Sequence, residues 1–153
     1  MDIKVTSPAF QEGDMIDVDY SCDGSNISPP LSWENVPEDA KSIAIMVDDP
    51  DSPSKSFTHW IIFNLPPDDR AIEGNIPTIS TLENGAVQGT NDAGEIGYFG
   101  PCPPIGETHR YVFHVFALDK TLDLHSQVKK DDFKHAINSH ILAQGKLTAM
   151  YAR

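Results

Sequence analysis

The stretch Arg110-Tyr111-Val112-Phe113-His114-Val115-Phe116-Ala117-Leu118 sets the fold class. Side chains alternate along a strand, so Tyr111, Phe113, Val115 and Ala117 share one face while Val112, His114, Phe116 and Leu118 share the other. Both faces are mostly apolar. A strand of that kind is central and covered on both sides. Ile43-Ala44-Ile45-Met46-Val47 reads the same way. Two such strands require a second layer, which predicts a sandwich rather than a lone sheet.

Outward from these runs, short β-branched and aromatic segments are separated by scattered Pro and Gly, with no internal repeat, low-complexity tract or linker. That rhythm predicts a mainly β, antiparallel two-sheet sandwich with a few peripheral helices. Strands are expected at Ile3–Ser7, Ile16–Tyr20, Leu31–Trp33, Ser42–Asp48, Thr58–Asn64, Ala86–Gly89, Arg110–Leu118 and Lys146–Tyr151. One helix is expected from Asp131 to Gln144, where Phe133, Ile137 and Ile141 recur every four residues. Asp131 and Asp132 suit its start, and Gly145 its end as a left-handed cap. His135 and His140 read as surface residues of that helix, since partner ligands are absent nearby.

The 153 residues form one domain, 1–153, long enough to close a core unaided. A formal charge of −12 and a pI near 4.6 repel phosphate backbones and anionic membranes, so nucleic acid is not an expected partner. A local positive pocket survives on such a surface, because salt screens charges beyond about 10 Å. No apolar run approaches the roughly 20 residues of a membrane span, and Met1-Asp2-Ile3-Lys4-Val5 does not resemble a leader, so the expected location is cytoplasmic. The two cysteines, Cys22 and Cys102, match no zinc spacing and read first as free thiols, with a single bridge left open.

Three segments carry candidate chemistry. In Asp48-Asp49-Pro50-Asp51-Ser52-Pro53 an apolar strand runs into three carboxylates, and the prolines hold Asp49 and Ser52 extended. An Asp-rich turn with Asx bonds is the bland alternative. His59 opens the next strand on the parity of Ile61 and Phe63. A carboxylate on one of its nitrogens would fix the tautomer and leave the other N–H to face a ligand. Gly100-Pro101-Cys102-Pro103-Pro104 forms a stiff loop whose glycine can bring backbone N–H groups close to a ligand. It leads into His109-Arg110-Tyr111. Parity makes His109 and Tyr111 the ligand-facing pair and gives Arg110 a structural ion pair.

These ordered motifs resemble the phosphatidylethanolamine-binding protein family, and most closely its bacterial and archaeal Raf-kinase-inhibitor-like branch. Ser7-Pro8-Ala9-Phe10, Ser28-Pro29-Pro30-Leu31-Ser32-Trp33 and the ending Leu147–Arg153 agree, so the resemblance spans nearly the whole chain. It implies a sandwich with a small pocket for phosphate- or phosphoethanolamine-like anions, lined by Asp49, His59, His109 and Tyr111. Pro50, Gly100, Pro103 and Pro104 would shape the walls. It also implies a non-enzymatic regulator or inhibitor of a kinase or protease, working without a cofactor, as a homodimer and without stable membrane insertion. No helix is expected after Lys146–Tyr151, so the pocket would be more open than in mammalian members.

Two other functions follow from the residues. Asp49, Asp51, His59 and His109 could serve as zinc or iron ligands in a metal-dependent hydrolase. Ser52 or Cys102 beside a histidine could act as a nucleophile, although neither has a nucleophile-elbow context.

Overall fold

The computed structural model describes residues 2–53 and 55–153. Eight strands and one α-helix follow in the order β1 (Lys4–Thr6), β2 (Leu31–Glu34), β3 (Ser42–Asp49), β4 (Phe57–Leu65), β5 (Ala71–Ile72), β6 (Val87–Gln88), β7 (Thr108–Leu118), α1 (Lys130–Ile137) and β8 (Ile141–Ala152). They form two antiparallel sheets, a small one ordered β1-β2-β5 and a large one ordered β6-β4-β3-β7-β8. The expected mainly β sandwich is what the chain builds.

The double-faced apolar strands lie where their pattern requires. Tyr111, Phe113, Val115 and Ala117 of β7, with Ile43, Ile45 and Val47 of β3, meet Val5, Leu31 and Trp33 in the core between the sheets. The opposite face, with Ala44, Met46, Phe116 and Leu118, is covered by Phe133 and Ile137 of α1 and by Leu122 and Val128. Burying Phe133 completely contributes about 2–3 kcal/mol by transfer alone, enough to hold a two-turn helix too short to persist by itself. Among the described residues no helix is long and apolar enough to cross a membrane.

Three sequence expectations are corrected. The helix ends at Ile137, and Ile141 opens β8 instead of continuing the helical stripe. The signal passed over is alternation: Ala143, Leu147, Ala149 and Tyr151 are buried at even spacing and pair along β7, which overrides a four-residue periodicity. Gly145 therefore caps no helix. It lies in mid-strand opposite Val115, where a Cβ would overlap the Ile3 carbonyl oxygen and block the N-terminal segment from crossing β8. Ile16–Tyr20 is not a strand either. Asp17 accepts a hydrogen bond from the Asp19 N–H at 2.9 Å and caps a single 3₁₀ turn at Val18–Tyr20, so local side-chain capping displaces the ladder.

Cys22 and Cys102 are joined in a disulfide, so neither is a free thiol. The bridge ties two loops 80 residues apart in sequence. Their backbones already meet there, with the Cys22 N–H donating to the Pro101 carbonyl.

Candidate functional site

The site sits where β3, β4 and β7 end together, at one margin of the inter-sheet core. β3 and β4 do not pair evenly. Val47 faces Trp60, but the next pair is Asp48 with Thr58, which leaves His59 as an extra residue in a β-bulge. The bulge changes parity. His59 was expected on the face of Ile61 and Phe63; instead its ring packs edge-on against Tyr111 at 5.3 Å, on the inter-sheet side. Bulges re-aim side chains in this way, and this one turns a histidine from the helix-covered face into a pocket.

The resulting cavity encloses about 290 Å³. Asp49 comes from the end of β3, Ser52 and Pro53 from the following loop, Phe57 and His59 from β4, and His109 from β7. The far wall is Phe99, Cys102, Pro103 and Pro104. Phe57 lies 4.8 Å from the His59 ring, and Phe99 stacks nearly parallel to it at 5.9 Å. The imidazole is thus held in an aromatic box and is only 3% exposed.

Hydrogen bonds assign the roles of the two histidines. The Phe99 carbonyl takes His59 Nδ1, and the Phe99 N–H donates back to the His59 carbonyl at 2.9 Å. No carboxylate holds His59, contrary to expectation; the orienting group is a backbone oxygen. Burial pulls the His59 pKa below its ordinary value, with the Phe99 bond and the charges of Asp49, Asp48 and Asp92 opposing. Asp49 serves His109 instead, with Oδ2 at 2.6 Å from Nδ1. The other Asp49 oxygen accepts the Asp51 N–H at 2.8 Å, so the Asx turn and the histidine partner coexist on one carboxylate.

His109 carries a second carboxylate. Gly106, at φ 92°, turns the chain into β7 and brings Glu107 Oε1 to 2.8 Å from His109 Nε2. Burial alone would lower the His109 pKa, but the hydrogen bonds and charges of Glu107 and Asp49 outweigh it and raise the value. Each ring nitrogen thus faces a carboxylate, an arrangement that favours the charged imidazolium. Glu107 was missed from sequence. The usable signal was its position two residues before His109, at the entry to β7.

The other sequence candidates divide. Pro103 and Pro104 line the cavity as expected. Pro50 is exposed and does not. Gly100 serves close packing between loops: its N–H donates to Asn26 Oδ1 at 2.7 Å, and a Cβ would overlap the Tyr20 carbonyl. Tyr111 lies behind the cavity, 1% exposed, and its hydroxyl has no hydrogen-bond partner among the described residues. Burial, then the Asp49 charge, pushes its pKa up. Arg110 forms the expected ion pair, gripping Asp51 through Nε at 3.0 Å and NH2 at 2.8 Å, while its N–H adds a third bond at 2.9 Å. These bonds hold the Asp51 carboxyl down at about 2.

The two alternative chemistries lose members. Asp51, one of the four proposed metal ligands, belongs to Arg110, and among the described residues no three His, Cys, Asp or Glu side chains are placed to hold a metal ion. Cys102 is in the disulfide and offers no thiolate.

The phosphatidylethanolamine-binding protein family profile matches residues 6–152. A UPF0098 protein of Methanothermobacter thermautotrophicus is 52% identical over 151 residues, covering 99% of each chain. A putative phosphatidylethanolamine-binding protein homologue from Chlamydia trachomatis superposes with a TM-score of 0.89 at 40% identity, over 99% of this chain and 98% of that one. Escherichia coli YbcL, presented as a new member of the mammalian family, superposes with a TM-score of 0.93 at 32% identity, over 100% and 99%. A profile and two superposed structures that each take in nearly the whole chain leave one conclusion: the chain belongs to the phosphatidylethanolamine-binding protein family.

Proposed function

We propose that the pocket binds a small oxyanion of phosphate or carboxylate type. One observation carries this reading: His109 Nε2 already lies 2.8 Å from a carboxylate oxygen at the cavity margin, that of Glu107. The Glu107 side chain is half exposed, so it can turn to solvent and yield its place to a ligand of the same chemistry. The aromatic and proline walls make the cavity lining mostly apolar, which strengthens a hydrogen bond made there.

This is a binding reading rather than a catalytic one. Both nitrogens of His109 are occupied by carboxylates and one of His59 by a carbonyl, and among the described residues neither ring is hydrogen-bonded to Ser52. In the family's terms the occupied pocket would govern contact with a kinase or protease, and the protein would act as a homodimer. The Cys22–Cys102 bridge weighs against the expected cytoplasmic location, because disulfides persist chiefly in oxidising compartments.

Calorimetric titration with inorganic phosphate, followed by crystals soaked in phosphate or phosphoethanolamine, tests the reading. The expected result is saturable binding with density between His59 and His109. An empty pocket at saturating phosphate, with no heat of binding, would refute it.

A further inference from the structure

The two cysteines of the chain are joined in surroundings unlike those of a bridge sealed in a core. Cys102 is exposed and lines the cavity, and Cys22 is half-buried. The Arg153 guanidinium donates from one nitrogen to Cys102 Sγ at 3.7 Å and to the Pro103 carbonyl at 3.3 Å. Its other terminal nitrogen pairs with Asp23 at 3.2 Å. The Arg153 N–H donates to the Glu107 carbonyl, and its own carbonyl accepts from Gly106, so the cation is held beside the sulfur. Opening the bridge leaves the two loops attached. The Cys22 N–H donates to the Pro101 carbonyl at 3.1 Å, while Tyr98 bonds Tyr20 and Gly100 bonds Asn26. The reduced thiols therefore stay neighbours, and closing the bond requires no folding step.

We propose that Cys22 and Cys102 form a dithiol–disulfide couple that reduces small disulfides, with Cys102 attacking, Cys22 resolving and Arg153 stabilising the Cys102 thiolate. A cation beside a thiol lowers its pKa and so raises its thiolate fraction at neutral pH. In the reduced protein the Cys102 thiolate attacks one sulfur of a disulfide R–S–S–R. A Cys102–S–R bond forms, the substrate S–S bond breaks, and RS⁻ leaves to take up a proton. The Cys22 thiolate then attacks Cys102 Sγ, re-forms the bridge and expels the second RS⁻. The two protein thiols thus supply the two electrons and two protons that turn one disulfide into two thiols. A dithiol donor returns the protein to its reduced form. Because the fold already holds the thiols together, closure is favoured and the reduced form is the reductant. Several charged and titratable groups face Cys102 besides Arg153. They are Asp23, Asp49, His59 and His109 around the cavity and its rim, and the Tyr111 phenol near the Cys102 backbone.

The test starts from intact protein reduced in excess dithiothreitol and then freed of it. Peptide mapping after brief iodoacetamide treatment at pH 7 should find Cys102 alkylated about tenfold faster than Cys22. The pH midpoint for Cys102 should lie about one unit below the ordinary thiol value of about 8.5. It should return to that value in Arg153→Met and fall between the two in Arg153→Lys. Mixed with bis(2-hydroxyethyl) disulfide, reduced wild type should release two thiols per chain and regain its bridge. Cys22→Ser should stop after one and carry the mixed disulfide on Cys102, whereas Cys102→Ser should react about tenfold more slowly. If the cysteine variants do not fold, the wild-type alkylation rates and thiol count decide alone.

A bridge that resists excess dithiothreitol until urea unfolds the chain overturns the proposal. So does equal reactivity of the two reduced thiols, or an Arg153→Met profile that matches wild type.

Discussion

Removing the Cys22–Cys102 bridge is the sharpest perturbation of both fold and site. The bridge closes a loop of 80 residues. In the loop-entropy account, the denatured chain regains about 15 cal/mol/K when such a loop opens, or about 4.5 kcal/mol at 25 °C. Other attachments persist without it. The Tyr98 hydroxyl donates to the Tyr20 carbonyl at 2.7 Å, Gly100 N–H to Asn26 at 2.7 Å, and Arg153 pairs with Asp23 at 3.2 Å while reaching the Pro103 carbonyl. The folded state should therefore survive reduction with its loops in place, and the effect should appear mainly in the denatured state. The Cys22→Ala/Cys102→Ala double variant is expected to unfold in urea about 2 M earlier than the oxidised protein, for a slope near 2 kcal/mol/M. Wild type measured in reductant should follow the variant. Mass spectrometry after alkylation without reductant should find no accessible thiol in wild type. A midpoint unchanged to within about 0.5 M would refute the entropic argument, and alkylation of both cysteines in unreduced protein would refute the bridge itself.

Other outcomes follow from single groups. The His109 pKa is raised, so its contribution to stability is complete below the unfolded histidine value of about 6.5 and fades as pH rises through the folded value. The His59 pKa is lowered, so its contribution is lost instead as pH falls below about 6.5. Chemical denaturation from pH 5 to 9 should show the two losses on opposite sides, and Asp49→Asn should reduce the alkaline one, with Glu107 still on His109. The same substitution breaks a charge-assisted bond at a 4%-exposed carboxylate and should cost about 1.5–3 kcal/mol; a loss under about 0.5 kcal/mol would show that Asp49 does not hold His109. Carbon-detected NMR should find Asp51 titrating near 2 and, in Arg110→Met, moving toward the ordinary range near 4. Gly145→Ala should lower stability by about 1–3 kcal/mol by urea denaturation, because the added methyl meets the Ile3 backbone; an unchanged midpoint would contradict the crossing.

Much of the fold could be read because burial leaves a periodic mark. β3 and β7 are apolar on both faces, and the need for cover beyond a lone sheet follows from that fact alone. Arg110 was separable from its neighbours by parity, since β7 runs without irregularity from Thr108 to Ala117. The misreadings arise where a non-local partner outweighs a local pattern. Ile141 fits the spacing of Phe133 and Ile137, yet pairing with β7 claims it. Gly145 is a glycine because a different strand passes over it, which no local window contains. The disulfide belongs to the same class, because 80 intervening residues separate its halves.

His59 shows why the site was harder to read than the sheet around it. A strand's faces are legible only while the ladder stays regular, and one extra residue exchanges them. The irregularity falls between the Val47–Trp60 and Asp48–Thr58 pairs, at the margin where the core gives way to the pocket. Without it His59 would lie beside Ile61 and Phe63 under the helix side of the sheet, apart from Asp49 and Tyr111. With it the ring joins the inter-sheet face and takes its tautomer from a loop carbonyl rather than from the nearby acidic run. Asp49 bonds His109 instead, and His109 takes a second carboxylate from Glu107, the residue just before β7. A single departure from regular pairing thus gives the two histidines opposite settings: burial pulls the His59 pKa down, while Glu107 and Asp49 push that of His109 up.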